Sequence, residues 1–388
     1  MKVLWLASWY PNRTALYNGD FIERHAIAAA RFAEQLFVVA IVKDDAMERG
    51  STEIIKKQSG NLTVFTVYYG RGKLGAVEKL LSFRKYFSLQ KKIYKQIELE
   101  FGKPNIVHVQ VPMKAGLFAQ YLKQKEGIPY IVTEHWAGYA KVCRPNIFDM
   151  GKTFTKLNNL VLRGASLVLP VSDYLGKLIC DDFIKINYTV VPNVVDTALF
   201  FPAEKKQSDV LKLIHISTMG YQKNMEAVIA ALALWKEKGG AFELNCYGRI
   251  NDAMGQLVKS HSLQEHIFFH GEFPQAVLAK AMQQSDALIL YSRYETFGCV
   301  LIEANACGVP VIVSDLPVFH ELITENINGV FVEGENPAAL AAALAVFANT
   351  KNNFNQQQIA AVAKERFSYD VVGRQLKNIY STIINNNP

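Results

Sequence analysis

Two glutamates eight positions apart, Glu295 and Glu303, are the strongest candidates for chemistry in this 388-residue chain. They lie in residues 294–310, YETFGCVLIEANACGVP. Thr296 is a good helix N-cap, and Gly298 lets the backbone approach a ligand closely. Val300, Leu301, Ala304 and Ala306 have the spacing of a short buried helix that ends at Gly308. Glu295 then falls in the loop before the helix, and Glu303 about one and a half turns inside it at ~3.6 residues per turn. The helix start offers backbone N–H groups and the positive end of a dipole, which suits phosphate. A carboxylate on either flank of a phosphate is placed to accept hydrogen bonds from hydroxyls, not to bind the phosphate. A nucleotide-sugar has hydroxyls on both flanks, on its ribose and on its sugar. The same residues equally describe a solvated loop glutamate and a helix-capping glutamate, and alone they leave both readings open.

Other candidates depend on the elements that would carry them. Residues 2–8, KVLWLAS, form a continuous apolar run, as in a buried parallel strand. A loop ending at Gly19, a helix over 20–35 with Asp20 as its cap, and a strand over 36–42 complete a βαβ unit. Ligands in open α/β sheets bind at the carboxyl ends of the strands, which is where Gly19 falls. Strands follow at 62–68, 105–110, 129–133 and 167–171, with a helix over 112–124. The strand at 129–133 runs into Glu134-His135-Trp136, so His135 also sits at that edge, where a histidine is ordinarily satisfied by backbone. Residues 200–210, with Pro202 and a polar run, read as a linker. The βα pattern then restarts: strands at 211–217, 242–247, 266–270, 286–291 and 329–332, helices at 222–236, 337–348, 356–367 and 369–384. Lys223 begins the first of these helices, where its ammonium can reach a phosphate as a point charge.

Residues 294–310 with the following VPVIVSD, 309–315, resemble the E-x7-E signature of retaining glycosyltransferases of family four. The resemblance covers nearly the whole chain and is most specific at 189–224 and 286–315. It implies the α/β fold called GT-B: two facing Rossmann-like domains, 1–200 and 201–368, with the active cleft between them. A C-terminal helix, 369–388, would cross back to the first. It implies that Glu295 contacts the donor sugar and Glu303 the ribose, and that His135 lies near the sugar. Gly19 would face the donor phosphate and acceptor, Lys223 the diphosphate, and the Phe273 loop the nucleobase. The catalytic candidates are thus Glu295, His135 and Lys223. The donor-binding candidates are Gly19, Lys223, Phe273, Glu295, Phe297, Gly298, Cys299, Val300 and Glu303. The chain departs from the family pattern at three places. It has one glycine in the Gly19 loop where many members have two, and Val194 where PNGVD has glycine. Ser217 or Thr218 stands where the family has an arginine, with Arg249 as a candidate substitute. The implied reaction is retaining transfer of a sugar to a lipid-linked or other glycan acceptor. Alternatives are a GT-B sugar-nucleotide epimerase and a binding paralogue without turnover.

Composition narrows the partners. No DxD pair occurs, and His261, His266 and His270 have no metal-binding spacing, so neither a metal nor a cofactor is expected; the nucleotide-sugar is a substrate. The net charge is +7, but residues 1–200 hold 27 Lys+Arg against 17 Asp+Glu, a surplus of ten. Eight of these cations fall in residues 71–100: Arg71, Lys73, Lys79, Arg84, Lys85, Lys91, Lys92 and Lys95. Leu80, Leu81, Phe83, Phe87 and Ile93 share one side of the same helix. That pattern suits a helix packed on the sheet whose charged side faces an anionic membrane, not nucleic acid. No apolar run approaches the ~20 residues of a membrane span, and MKVLWLASWYP reads as a strand, not a secretory leader. Five scattered cysteines fit a reduced cytoplasm, with peripheral attachment to the inner face of the membrane.

Overall fold

The run KVLWLA lacks alternation because both its faces are covered. In the computed structural model it forms β1 (Lys2–Ala7), with Val3, Leu4, Trp5 and Leu6 all buried. The structure describes residues 1–70, 75–205, 208–249 and 252–386. They divide into two units: Met1–Val194 with Tyr369–Pro388, and Val195–Ser368. The first unit therefore ends at Val194, ahead of the boundary read at residue 200.

In the first unit β1 is joined by β2 (Gln35–Lys43), β3 (Thr52–Ser59), β4 (Leu62–Tyr69), β5 (Ile106–Gln110), β6 (Tyr130–Glu134) and β7 (Leu167–Pro170). Their order is β3-β4-β2-β1-β5-β6-β7, and only β3 against β4 is antiparallel. Strand β3, TEIIKKQS, carries no strand signal in its residues. It is an exposed, charged edge, the composition that discourages edge-to-edge association. The helices are α1 (Asp20–Ala30), α2 (Ala76–Phe101), α3 (Gly116–Glu126), α4 (Lys152–Gly164) and α5 (Asp173–Leu178). Asp20 is not the cap of α1; Gly19, in the left-handed region at φ 74°, holds that position. Helix α1 ends earlier than residue 35 because the chain must turn so that the Glu34 N–H can donate to the Met1 carbonyl and β2 can begin.

Arg71, Lys73 and the Lys79 side chain lie outside the described residues. The inner side of α2 buries Tyr86, Leu89, Ile93, Tyr94 and Ile97. Phe87 packs edge-on against Phe118 and Tyr121 of α3. Leu80 and Leu81 do not join this face; they are 58% and 43% exposed, next to the exposed Arg84. Among the described residues no helix is long and apolar enough to cross a membrane.

The second unit has six parallel strands: β8 (Leu211–Ile216), β9 (Phe242–Tyr247), β10 (Ile267–Gly271), β11 (Ala287–Leu290), β12 (Val311–Ser314) and β13 (Gly329–Val332). Its helices are α6 (Met225–Glu237), α7 (Asp252–Ser260), α8 (Gln275–Gln283), α9 (Cys299–Ala306), α10 (Pro337–Thr350) and α11 (Gln356–Phe367). The order β10-β9-β8-β11-β12-β13 reverses between β8 and β11. At such a switch point the loops leaving the two strands diverge and open a crevice for a ligand. The last helix, α12 (Tyr369–Asn385), belongs to the first unit, where it packs along α1. Gly373 permits the contact: a Cβ there would meet the Ala28 carbonyl at 2.4 Å and the Phe32 ring at 2.8 Å.

Candidate active site

The loops leaving β8 and β11 are joined at the switch point. Lys223 does not begin an α-helix. It closes a single 3-10 turn, Tyr221–Lys223, and α6 starts only after Asn224, which sits in the left-handed region at φ 52°. This turn aims the ammonium at the loop after β11, where it forms an ion pair with Glu295 Oε1. The same oxygen accepts from Ser292 Oγ at 2.9 Å. The backbone reinforces the junction, with the Arg293 N–H donating to the Gln222 carbonyl at 2.8 Å and Gln222 Nε2 to the Tyr294 carbonyl at 2.9 Å. Arg293, which sequence reasoning missed, clamps the outside. Its guanidinium lies 4.2 Å over the Tyr221 ring and pairs with Glu226 at 2.8 Å and Glu335 at 2.7 Å.

Helix α9 follows directly. Gly298, not Thr296, is its N-cap; at φ 95° it supplies no side chain to the first turn. Cys299 and Val300 line that turn half-buried. Phe297 is a core residue: it is buried and meets the Phe367 ring edge-on at 6.0 Å, so its side chain supports the loop from behind. Glu303 is the fifth residue of α9, and only 4% of it is exposed; Glu295 is 7% exposed. Neither is a solvated surface carboxylate. A buried charge needs a partner, and Lys223 supplies it for Glu295.

Along the same carboxyl edge, Phe273 presents a partly exposed ring edge-on to Tyr247 at 6.0 Å, and Tyr247 stacks on His270 at 4.6 Å. Arg249 is exposed after β9. Ser217, at the missing arginine's place, accepts from the Met219 N–H at 2.9 Å and lies 2.6 Å from His215 Nε2. The histidines considered for metal are engaged otherwise: His266 Nδ1 lies 3.2 Å from the Phe242 carbonyl, and His270 Nε2 lies 2.6 Å from Asn245 Oδ1. Among the described residues no three His, Cys, Asp or Glu side chains are grouped to hold a metal.

Gly19 and His135 are in the first unit. Gly19 lies against the backbone of Trp9 and Tyr10, and a Cβ there would meet the Trp9 carbonyl carbon at 2.8 Å. His135 is buried after β6, with Nε2 3.4 Å from Gln110 Oε1 and its ring 4.6 Å from that of Phe21. Glu134 holds this loop in shape by accepting from the His135 and Trp136 N–H groups, at 2.8 and 2.9 Å, and from the Tyr139 hydroxyl at 2.9 Å. Burial nevertheless pushes its carboxyl up to about 7. Burial holds His135 well below the ordinary imidazole value, so it is neutral at pH 7.

Two family models match. Glycosyltransferase Family 4 covers residues 22–199, and Glycosyl transferases group 1 covers residues 196–365. The chain belongs to the family-four glycosyltransferases. Among the relatives of this family-four enzyme is the α-monoglucosyldiacylglycerol synthase of Streptococcus pneumoniae. It is 25% identical over 322 residues, which are 78% of this chain and 70% of the relative. The N-acetyl-α-D-glucosaminyl L-malate synthase of Bacillus anthracis is 26% identical over 72% of this chain and 75% of its own length. Sucrose-phosphate synthase from Thermosynechococcus elongatus superposes over the whole of both chains, with a TM-score of 0.79 at 18% identity. Anabaena HepE in complex with UDP and glucose matches 98% of this chain and all of its own, at 0.72 and 16%. The family-four enzyme thus has the GT-B fold.

Proposed function

We propose that this glycosyltransferase moves a sugar from a nucleotide-sugar to a glycan or lipid-linked acceptor, with retention of configuration and without a metal ion. One observation carries the reading: the Lys223–Glu295 pair bridges the two switch-point loops beside the start of α9. An ammonium has three donors, so Lys223 can keep Glu295 and still bond a phosphate oxygen. Lys223 and the α9 start then stabilise the charge that gathers on the leaving diphosphate as the sugar–phosphate bond breaks. Glu295, ahead of the helix, accepts from the sugar hydroxyls, and Glu303, inside it, from the ribose. Phe273 and Tyr247 offer aromatic surface to the base, and His135 serves the sugar as a neutral group. Retention follows when the acceptor attacks from the face the diphosphate leaves.

Two relatives support the substrate classes. HepE was captured with UDP and glucose, and the streptococcal synthase is named for a glycolipid product. The cations of α2 support peripheral contact with an anionic membrane. The test is nucleoside diphosphate release from a panel of nucleotide-sugars, in excess chelator, with the product anomer read by NMR. Release in chelator with a retained anomer is expected. Loss that a divalent ion restores, or an inverted anomer, contradicts the corresponding part; no release from any donor favours the binding paralogue.

A further inference from the structure

The first unit holds a buried polar chain that runs from its last helix to His135. Tyr380 of α12 is 1% exposed, and its hydroxyl accepts from Trp5 Nε1 at 3.2 Å. The hydroxyl lies 2.7 Å from His108 Nδ1. His108 Nε2 lies 2.6 Å from Thr133 Oγ1 and 3.2 Å from Gln110 Nε2. Gln110 Oε1 faces His135 Nε2 at 3.4 Å. His108, Gln110 and Thr133 are completely buried, so no bulk water intervenes.

We propose that Gln110 is a positioning residue that couples the tautomer of His135 to that of His108, and through His108 to Tyr380 on the C-terminal helix. The argument is one of donors and acceptors. A primary amide has a donating end and an accepting end, and each end of Gln110 meets an imidazole Nε2. Its NH2 meets His108, so His108 Nε2 is the bare nitrogen, accepting from this amide and from the Thr133 hydroxyl, and the His108 proton is on Nδ1. That proton is donated to the Tyr380 oxygen. The amide oxygen meets His135, so His135 carries its proton on Nε2 and leaves Nδ1 as its basic nitrogen. The rings therefore carry their protons on opposite nitrogens. Moving the His108 proton to Nε2 would set two donors face to face unless the amide turned over. The turned amide would then donate to His135 Nε2 and send that ring's proton to Nδ1. Both rings are neutral, since burial depresses each of them, so each has one proton to place.

The test is the nitrogen-15 spectrum of histidine in the full chain, with His108 and His135 assigned by single replacement. In the wild type, His108 should show a protonated Nδ1 and His135 a protonated Nε2. Tyr380→Phe removes the acceptor of the His108 Nδ1–H. An Nε2–H can instead donate to Thr133 Oγ1, 2.6 Å away, so His108 should shift to Nε2–H and His135 to Nδ1–H with it. In Gln110→Leu the Tyr380→Phe change should no longer reach His135. Rings protonated on the same nitrogen in the wild type would overturn the proposal. A His135 that ignores a shift at His108, or two rings that both ignore Tyr380→Phe, would overturn it as well. The catalytic consequence rests on the reading of His135 as a donor-sugar residue. If that holds, Gln110→Leu lowers kcat about tenfold with little change in donor KM. Spectra that follow the prediction beside an unchanged kcat would support the coupling and count against the catalytic role of His135.

Discussion

Lys223 and Glu295 bond across 72 positions of sequence, and this contact changes what each residue is worth. As a lone cation at a helix start, Lys223 would be dispensable for folding. As the partner of a carboxylate that is 7% exposed, it is not. Lys223→Ala should destabilise the protein by about 3 kcal/mol, because it leaves Glu295 buried without its counter-charge. Adding Glu295→Gln should recover most of that loss, while donor turnover stays at least a hundredfold down in both variants. Urea denaturation of the two single variants and the double variant checks this; single losses that simply add would show that the pair is not coupled. The sequence showed both residues at the right strand ends, because strand, loop and helix follow one another regularly there. It did not show the bond, which depends on a 3-10 turn that propensity cannot distinguish from a first helical turn. Arg293 was illegible for a similar reason: its partners Tyr221, Glu226 and Glu335 are distant in sequence.

At the scale of elements, parallel strands were the most legible because covered faces demand unbroken apolar runs, as in β1 and β12. Strand β3 escaped because an exposed edge needs no such run. The start of α9 was misread because Thr296 is the better capping residue by type, whereas the chain turns through left-handed Gly298. That conformation gives a test. Gly298→Ala forces an L residue to φ 95° and puts a Cβ 3.0 Å from Leu301 and 3.2 Å from Phe319. About 1–2 kcal/mol of stability should be lost, and donor KM should rise because the loop bearing Glu295 must shift. Thermal melting beside steady-state kinetics measures both; an unchanged KM would detach α9 from the donor. Helix α2 carries a separate prediction. Arg84, Lys91, Lys92 and Lys95 are exposed along α2, and Leu80 and Leu81 are exposed nearer its start. Each cation at an anionic surface contributes ~1 kcal/mol, screened by salt. Co-sedimentation with vesicles should rise with anionic lipid, fall with salt, and drop in a variant with these four cations changed to Gln. Binding indifferent to lipid charge would exclude this surface.

Over the whole molecule, buried histidines set the response to acid. Burial lowers His25 from 6.5 to about 3 and His215 from 6.5 to about 4, and it holds His108 and His135 well below 6.5. Below pH 6.5 the unfolded chain takes up protons that the folded chain refuses. The stability these groups support is therefore full above 6.5 and is lost as pH falls towards 4. Glu134, raised from 4.5 to about 7, acts in the opposite sense between those values. Three of the four histidines are in the first unit, so its amides should lose hydrogen-exchange protection at a higher pH than those of the second. Simultaneous loss would mean that these groups do not control the transition. In the proposed function, the second unit grips a nucleotide-sugar with Glu303 on the ribose side and Glu295 on the sugar side. Calorimetric titration of the wild type, Glu303→Gln and Glu295→Gln with nucleoside diphosphate and with the complete donor tests it most directly. Charge-assisted hydrogen bonds of roughly 1.5–3 kcal/mol each are at stake. Glu303→Gln should weaken both ligands at least tenfold, whereas Glu295→Gln should leave nucleoside diphosphate affinity nearly intact and weaken only the complete donor. Equal loss of nucleoside diphosphate affinity in both variants, or no loss in either, would contradict the account.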